Sequence, residues 1–400
     1  MYIPDQILLK KYADVLVKFA LWSGEGIRKG DVVSVVISES AKPFLLPLQQ
    51  SILEAGGHMI LTYAPDGISK SFYEQASEEQ LLFYPKDYML ERVKICDHQI
   101  GIISEADKHE LESIESKKIL ERSKGAKFYM NARRDKENAG KFTWTLALYG
   151  TDAMAKEVGM TEEEYWDQII KACYLDVADP VAKWKQLFVD LEDIKAKLNT
   201  LKIEKVHIKG DDIDLEVKLG AHRLWMGGSG RNIPSFELFI SPDWRGTNGW
   251  VKFNQPLYRY GNLVTGIEIK FKDGLVIDAK ADKNEQLLKD MIAVEGANKI
   301  GEFSLTDKRF SRITKFMAET LFDENVGGEY GNTHIALGMS YHDSYDGDMS
   351  KMTEKDWEEL GYNDSVVHTD IISTTNRTVT ATLQDGSERV IYKDGMFQLE

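Results

Sequence analysis

The sequence predicts two domains of different architecture, an α/β domain followed by an α+β domain. The first half alternates helical patterns with short, apolar, β-branched runs, a pattern typical of a mainly parallel sheet flanked by helices. From Lys205 onward strand patterns predominate, which favours a mostly antiparallel sheet. A chain of 400 residues is also too long for one ordinary core. We therefore predict one domain over residues 1–203 and a second over residues 204–400.

Four apolar runs are the predicted strands of the first domain: Val32–Ser38, His58–Ala64, His98–Ser104 and Lys127–Arg133. A helix beginning at Pro43 follows the first run. Two further helices are predicted at the end of the domain. One begins at Thr161, with Glu164 three residues later as a capping box. The other begins at Asp179, because an N-cap aspartate is followed there by Pro180 in the first turn.

Six strand patterns follow in the second domain, within KVHIKG, DIDLEVKLG, RLWMG, FELFIS, LVTGIEIKF and LVIDAKA. The dipeptides Asp273-Gly274 and Asp385-Gly386 lie between alternating runs and predict tight hairpins. We predict one helix over NEQLLKDMIAVEGA and another over Ile313–Leu321.

Charge and composition exclude several classes of function. The formal net charge is −15, which argues against a nucleic-acid partner. Cys96 and Cys173 have no metal-site spacing, so we expect both to be reduced. Polar residues such as Asp5 and Lys10 interrupt the first apolar positions, which predicts an amphipathic helix rather than a secretory signal. No run reaches the ~18 apolar residues of a membrane span, and we expect a cytoplasmic protein without a membrane partner.

Common hydrolase and cofactor motifs are absent from the sequence. It contains no GxSxG elbow, no HExxH helix and no Walker loop. The glycine-rich stretches at 24–26 and 227–230 lack the strand–GxGxxG–helix context of a dinucleotide site. Both are therefore predicted to be turns.

Three residues attract interest because of the apolar residues around them. Glu237 lies inside FELFIS. If that strand is buried on both faces, a bare carboxylate costs several kcal/mol unless a cation or donors compensate it. An edge strand with Glu237 in solvent fits the same residues. Glu302 lies between Gly301 and Phe303, and the alternative is an ordinary glutamate on the surface. His334 precedes the apolar IALG stretch, and the alternative is a core histidine with ordinary hydrogen-bond partners.

His368 and Asp370 are two residues apart on a predicted strand, so their side chains point to the same face. An imidazole and a carboxylate at one point suit a metal ion. Tyr341 follows His334 by seven residues, about two turns if a helix continued through Gly338, and is otherwise an ordinary buried tyrosine. If these residues meet, three carboxylates and two imidazoles nearly balance two divalent cations with a hydroxide. Nitrogen and oxygen donors without thiolate suit zinc, cobalt or manganese.

At these residues the sequence resembles the aminopeptidase T/aminopeptidase S family of thermophilic-type metalloaminopeptidases. The matching stretches are GRNIPSFELFISP, KIGEFSL, TLFDEN, THIALGMSY and NDSVVHTDIIS. They occur in the family's order across most of the second half, whereas the first half matches only as an α/β domain of similar size. The metal ligands that the resemblance implies are Glu237, Glu302, His334, His368 and Asp370. It also implies that Glu302 bridges both metals, that Tyr341 is catalytic, and that the protein forms homodimers.

Two stretches depart from the family pattern. The connection between FDEN and THIALG, Val326–Asn332, is longer than usual, so the family resemblance does not predict the conformation of this loop. SFEL and SPDWRGTNG differ in side chains from the common form, which leaves specificity open.

The resulting prediction is a metal-dependent aminopeptidase that hydrolyses N-terminal residues from peptides with a water activated by two metals. Glu302 or a nearby carboxylate would manage the proton, and Tyr341 would stabilise the oxyanion. A mononuclear Fe(II) ring-cleaving dioxygenase of similar fold is one alternative, and a non-catalytic binding protein is another. The preferred N-terminal residue depends on pocket shape, and the native metal on availability.

Overall fold

The structure, a computed structural model, describes residues 2–259 and 262–399. Its helices are α1 (Gln6–Val15), α2 (Lys42–Glu54), α3 (Ile68–Gln75), α4 (Glu78–Leu82), α5 (Lys86–Ile95), α6 (Ser116–Gly125), α7 (Lys127–Asn138), α8 (Asp152–Glu157), α9 (Glu162–Ala172), α10 (Pro180–Thr200), α11 (Glu285–Ile292), α12 (Thr320–Asp323) and α13 (Glu354–Glu359). None of these helices is long and apolar enough to cross a membrane.

The strands of the same residues are β1 (Val32–Ser38), β2 (His58–Ala64), β3 (His98–Ile103), β4 (Thr143–Leu148), β5 (Ile203–Gly210), β6 (Ile213–Lys218), β7 (Met226–Gly227), β8 (Asn232–Ile233), β9 (Glu237–Ile240), β10 (Asn248–Lys252), β11 (Leu257–Arg259), β12 (Asn262–Val264), β13 (Glu268–Lys272), β14 (Leu275–Lys280), β15 (Ile300–Thr306), β16 (Asn332–Gly338), β17 (His368–Ser373), β18 (Thr378–Leu383), β19 (Glu388–Lys393) and β20 (Met396–Phe397).

The chain divides into two compact units, one of residues 1–185 with 229–233 and one of residues 186–228 with 234–400. The first unit contains a parallel sheet in the order β2-β1-β3-β4-β8. The second contains two large antiparallel sheets, of eight and five strands, and a two-stranded antiparallel sheet of β11 and β12. The predicted fold class, α/β followed by α+β, is thus confirmed, while the domain boundary at 203/204 stays a prediction.

One of the four strands predicted for the first unit is wrong. Lys127–Arg133 belongs to helix α7, and the fourth strand is β4, which pairs with β3 from His98 opposite Thr143. Helix α7 buries no side chain completely, and Met130 is 62% exposed. A short run of aromatic and apolar residues fits a strand or a surface helix equally well, so periodicity alone does not distinguish them.

The helix starts predicted at the end of this region are confirmed. Thr161 Oγ1 accepts a hydrogen bond from the Glu164 amide at 3.2 Å, and the Glu164 carboxylate accepts one from the Thr161 amide at 2.9 Å. Asp179 Oδ1 accepts from the Ala182 amide at 3.0 Å. In both cases the side chain satisfies a backbone donor that the first turn leaves without a helical partner.

The helix predicted over Ile313–Leu321 is also wrong, because only α12 is helical in this region. The carboxylate of Asp323 accepts hydrogen bonds from the amides of Met317, at 2.6 Å, and Glu319, at 2.9 Å. These bonds satisfy the backbone in an irregular path instead of a helix.

The five-stranded sheet has the order β17-β16-β15-β9-β7. Every residue of β15 and β16 is buried. On the back of the sheet Phe303 packs edge-on against Trp225, with ring centroids 6.1 Å apart. Since side chains alternate along a strand, Glu302 and Ser304 point to the opposite, front face.

The hairpin turn predicted between β13 and β14 provides a stability test. Asp273 (φ 51°) and Gly274 (φ 83°) both have left-handed backbone conformations, as a type I′ turn requires. A side chain on Gly274 would clash with the carbonyl oxygen of Trp244. We expect Gly274→Ala to lower the free energy of unfolding by more than the ~1–2 kcal/mol of a left-handed alanine alone, measured by urea unfolding.

The matched control is Gly386→Ala. Gly386 has almost the same backbone conformation (φ 82°), but nothing lies within 4 Å of its added Cβ. Gly386→Ala should therefore lower the free energy of unfolding only by the cost of a left-handed alanine. Equal losses for the two variants would show that the Trp244 contact does not matter.

Candidate metal centre

Neighbouring strands of the five-stranded sheet bring the five predicted ligands together on its front face. Glu237 begins β9, Glu302 lies in β15, His334 in β16, and His368 and Asp370 in β17. Glu302 and Asp370 each pair with Ala336 of the strand between them, while His334 pairs with Ser304. Directly opposed residues share a face, so the register places all these side chains on one side.

The first group of donors is formed by Glu237, Glu302 and His334. Nε2 of His334 lies 3.1 Å from Oε2 of Glu237 and 3.1 Å from Oε1 of Glu302. The hydroxyl of Ser304 donates to Oε2 of Glu237 at 3.3 Å. One imidazole nitrogen thus faces two carboxylates.

The second group is formed by Glu302, His368 and Asp370. Nε2 of His368 lies 3.3 Å from Oδ1 of Asp370 and 3.7 Å from Oε2 of Glu302. Within each group the donor atoms lie within 4.8 Å of one another. Glu302 turns one oxygen to each group, which is the geometry of a bridging carboxylate.

A backbone hydrogen bond on the side away from the carboxylates fixes the orientation of the His368 ring. Its Nδ1 donates to the carbonyl oxygen of Met339 at 2.8 Å, which leaves Nε2 as the nitrogen that faces the carboxylates. Histidines that bind metals are commonly held by such a backbone acceptor, which sets the tautomer and the ring orientation.

Burial and charge strongly perturb the ionisation of these groups. Burial raises the pKa of Glu302, and the neighbouring Glu237 carboxylate adds to the increase. Burial alone would lower the pKa of His368, but the Asp370 carboxylate outweighs it and raises that pKa to about 9. The pKa of His334 is likewise raised well above its ordinary value, against the effect of burial, by Glu237 and Glu302. Without a metal ion, both imidazoles therefore tend to stay protonated, and their positive charge partly compensates the neighbouring carboxylates.

Sequence reasoning missed a fourth carboxylate, Glu324. This residue is buried, and burial followed by the charges of Glu237 and Asp370 raises its pKa well above the ordinary value. Within TLFDEN it looks like a solvated residue between Asp323 and Asn325. The only sequence signal was that TLFDEN is one of the stretches that carry the family resemblance.

Tyr341 lies beside the second group, beyond the end of β16. His334 is in a strand, so the seven-residue spacing is not helical. The Tyr341 ring centroid is 4.7 Å from that of His368. Although 38% of Tyr341 is exposed, burial of the hydroxyl, and then the charge of Glu302, raise its pKa well above 10.0. The phenol therefore stays protonated.

Ser241 connects Tyr341 to the strand of Glu237. The Tyr341 amide donates to Oγ of Ser241 at 2.8 Å, and Ser241 directly follows β9. The Ser241 amide donates to Oγ of Ser344 at 3.2 Å, and its carbonyl accepts from Nε of Arg223 at 2.6 Å. Ser241 is completely buried, so these bonds fix the backbone that carries Tyr341.

The donor set fits divalent metal ions. It consists of carboxylate oxygens and imidazole nitrogens without thiolate, and the buried negative charge needs cations. Two donor groups that share one carboxylate are typical of metal-dependent hydrolases. The role of each residue as a ligand stays a prediction.

Comparison with known proteins gives the family. The model of the thermophilic metalloprotease (M29) family matches residues 5–397, and the chain belongs to this family. It is 27% identical to aminopeptidase AmpS of Bacillus subtilis (strain 168), over 97% of each chain. It is 28% identical to aminopeptidase PepS of Streptococcus thermophilus, also over 97% of each chain. The predicted resemblance to this family is thus confirmed. The membership also confirms, at the level of the family, that the protein is a metalloaminopeptidase, which is a hydrolase.

A solved structure shows the same fold. Wild-type AmpT from Thermus thermophilus superposes with a TM-score of 0.83 and 24% sequence identity, and the match covers 98% of each chain.

The raised pKa of His368 predicts how metal binding depends on pH. A metal ion must displace the proton that His368 keeps up to about pH 9. The affinity for Zn²⁺ or Co²⁺ should therefore rise between pH 6.5 and pH 9, by about tenfold per pH unit for each proton displaced. Competition with a chromophoric chelator at several pH values measures this. In the metal-free protein the same proton stabilises the fold below pH 6.5, and this stabilisation is lost as pH rises through about 9.

His368→Gln should flatten the pH dependence of metal affinity, whereas the exposed control His207→Gln should not. The His207 side chain pairs with Asp214 at the surface of the eight-stranded sheet, outside both donor groups. An affinity that is the same at every pH in the unmodified protein would contradict the proton-displacement account.

Proposed function

We propose that this protein is an aminopeptidase that removes N-terminal residues from peptides at a centre of two divalent metal ions, Zn, Co or Mn. The observation that carries the proposal is the position of Glu302, whose two oxygens face two separate donor groups. Glu237 and His334 complete the first group, and His368 and Asp370 complete the second. The aminopeptidase names of the relatives support the same function.

Two divalent ions held by these donors would supply an activated water and polarise the scissile carbonyl. Glu324 is the residue proposed to move the proton, because its buried carboxyl interacts electrostatically with Glu237 and Asp370 of both donor groups. Tyr341 keeps its phenolic proton and can donate a hydrogen bond to the oxyanion that develops on the peptide carbonyl.

The free amino group of a peptide supports cleavage at the N-terminus. The four buried carboxylates would offset the charge of two divalent ions, and one of these ions would bind the amino group while the other polarises the carbonyl. An internal peptide bond offers no such group. Cytoplasmic location and homodimer formation stay predictions from the sequence.

The presence of both Glu237 and Glu302 in the first group favours two metals over the single iron of a ring-cleaving dioxygenase. One iron needs only a few donors with open positions, whereas here the shared carboxylate serves two groups.

Glu302→Gln tests the two-metal proposal. We expect loss of metal from the purified protein and a fall of at least about 10²-fold in cleavage of aminoacyl-anilides, because metal activation supplies several kcal/mol. Elemental analysis and the cleavage assay are made on the same sample. Glu388→Gln, an exposed glutamate of β19, is the control. Unchanged metal content and activity in Glu302→Gln would refute the proposal, and one iron per chain without peptidase activity would favour the dioxygenase.

A double-mutant cycle tests the role of Tyr341 and its support by Ser241. Tyr341→Phe should lower kcat by about 10²–10³-fold, the usual loss for one oxyanion donor. Ser241→Ala should lower kcat by about tenfold with metal content unchanged, since one positioning hydrogen bond to the Tyr341 backbone is lost. In the Tyr341→Phe background the Ser241 substitution should have little further effect.

The control for Ser241→Ala is Ser387→Ala, whose hydroxyl donates to Oδ1 of Asp385 within an exposed turn. Additive losses in the double variant would show that Ser241 does not act through Tyr341.

A further inference from the structure

A cavity of about 310 Å³ lies in the second unit, behind the sheet that carries the candidate metal centre. Ile240 and Trp225 line it. Ile240 alternates with Glu237 and Phe239 along β9 and so points to the back of the sheet. Trp225 contacts Phe303, which alternates with Glu302 in the same way. The cavity is therefore separated from the metal centre by the sheet itself.

The cavity has an apolar floor and a charged rim. The floor is formed by buried side chains, namely Leu198, Ile203, Leu219, Trp225 and Ile240. The rim carries exposed side chains, namely Lys202, His222, Asp346 and Gln384. Within residues 2–259 and 262–399, neither Lys202 nor Asp346 makes an ion pair, so both charges are available to a ligand.

Two rim residues have a left-handed backbone, Lys202 (φ 47°) and His222 (φ 56°). This conformation is common where a helix ends, which accounts for Lys202 after α10. His222 does not follow a helix, and a left-handed backbone is unfavourable for a residue that has a Cβ. Its carbonyl accepts a hydrogen bond from the Asp346 amide at 3.0 Å. Strained residues of this kind cluster at binding sites.

We propose that this cavity binds a free α-amino acid with an apolar side chain. Lys202 pairs with the carboxylate, Asp346 pairs with the ammonium group, and the side chain enters the apolar floor. The volume is at the lower end of small-molecule pockets, about 300–1,000 Å³, which suits a ligand of the size of one amino acid. The choice of an amino acid rests on the proposed function, because an aminopeptidase releases free amino acids.

The cavity is connected to Tyr341 through one short segment. The Leu224 amide donates to the Ser344 carbonyl at 2.8 Å, and Oγ of Ser344 donates to the Leu224 carbonyl at 2.7 Å. At the cavity rim, the Asp346 amide continues this pairing by donating to the His222 carbonyl. Tyr341 lies five residues earlier in the same segment. An amino acid that binds Asp346 therefore acts on the segment that carries Tyr341, and bound product should change kcat rather than compete with the substrate.

Equilibrium dialysis of radiolabelled L-leucine against the full chain, as purified with its metal, tests the proposal. We expect saturable binding that Asp346→Asn and Lys202→Met each weaken by about tenfold or more, since each removes a charged hydrogen-bonding partner. N-acetyl-leucine and leucinamide, which lack one of the two charges, should compete poorly. Binding should persist in Glu302→Gln.

The matched controls are Asp364→Asn and Lys209→Met, exposed residues outside the cavity. Binding that survives both rim variants but is lost in Glu302→Gln would place leucine at the metal centre and overturn the proposal. Absence of saturable binding to the folded protein would also overturn it. Because dialysis does not depend on turnover, failure of the aminopeptidase proposal shows separately, as absent peptide cleavage with leucine binding retained.

Discussion

The second unit is organised around a concentration of buried negative charge. Glu237, Glu302, Asp370 and Glu324 are at most 8% exposed, and the imidazoles of His334 and His368 lie beside them. Without cations, burial and then the neighbouring carboxylates raise the pKa of Glu302 and of Glu324. Such a cluster is costly for the fold alone and is explained when metal ions compensate it. On the proposed function, stability and catalysis would therefore depend on the same ions.

An antiparallel sheet is well suited to hold such a cluster. Side chains two residues apart share a face, so His368 and Asp370 reach the centre from one strand while Thr369 packs behind it. The central strands β15 and β16 are buried throughout, which fixes their register, because a slip of one residue would exchange the polar front for the apolar back. The hydrophobic back of the sheet thus determines the geometry of the donors on the front.

Local signals in the sequence predicted the features that depend on neighbouring residues. The capping box of Thr161, the strands β1 and β2, and the shared face of His368 and Asp370 are of this kind. Contacts between residues distant in the sequence were not accessible. Nε2 of His334 lies 3.1 Å from Oε2 of Glu237 although the two residues are far apart in the sequence, and the sequence alone grouped them only as a hypothesis, which the family resemblance supported. The irregular path after Ile313 depends on hydrogen bonds to Asp323, which no helical periodicity encodes.

A single glycine shows how the backbone serves both donor groups at once. The pairing of β15 with β16 shifts between Ile300 and Glu302, so that Gly301 forms a bulge, and bulges commonly re-aim the next side chain. Here that side chain is Glu302, which faces both groups. A Cβ on Gly301 would clash with the carbonyl oxygen of Met339, and this same oxygen accepts the Nδ1 hydrogen of His368. The absence of a side chain at Gly301 therefore lets the Glu302 carboxylate and the Met339 carbonyl approach the two donor groups together, which a larger residue would prevent.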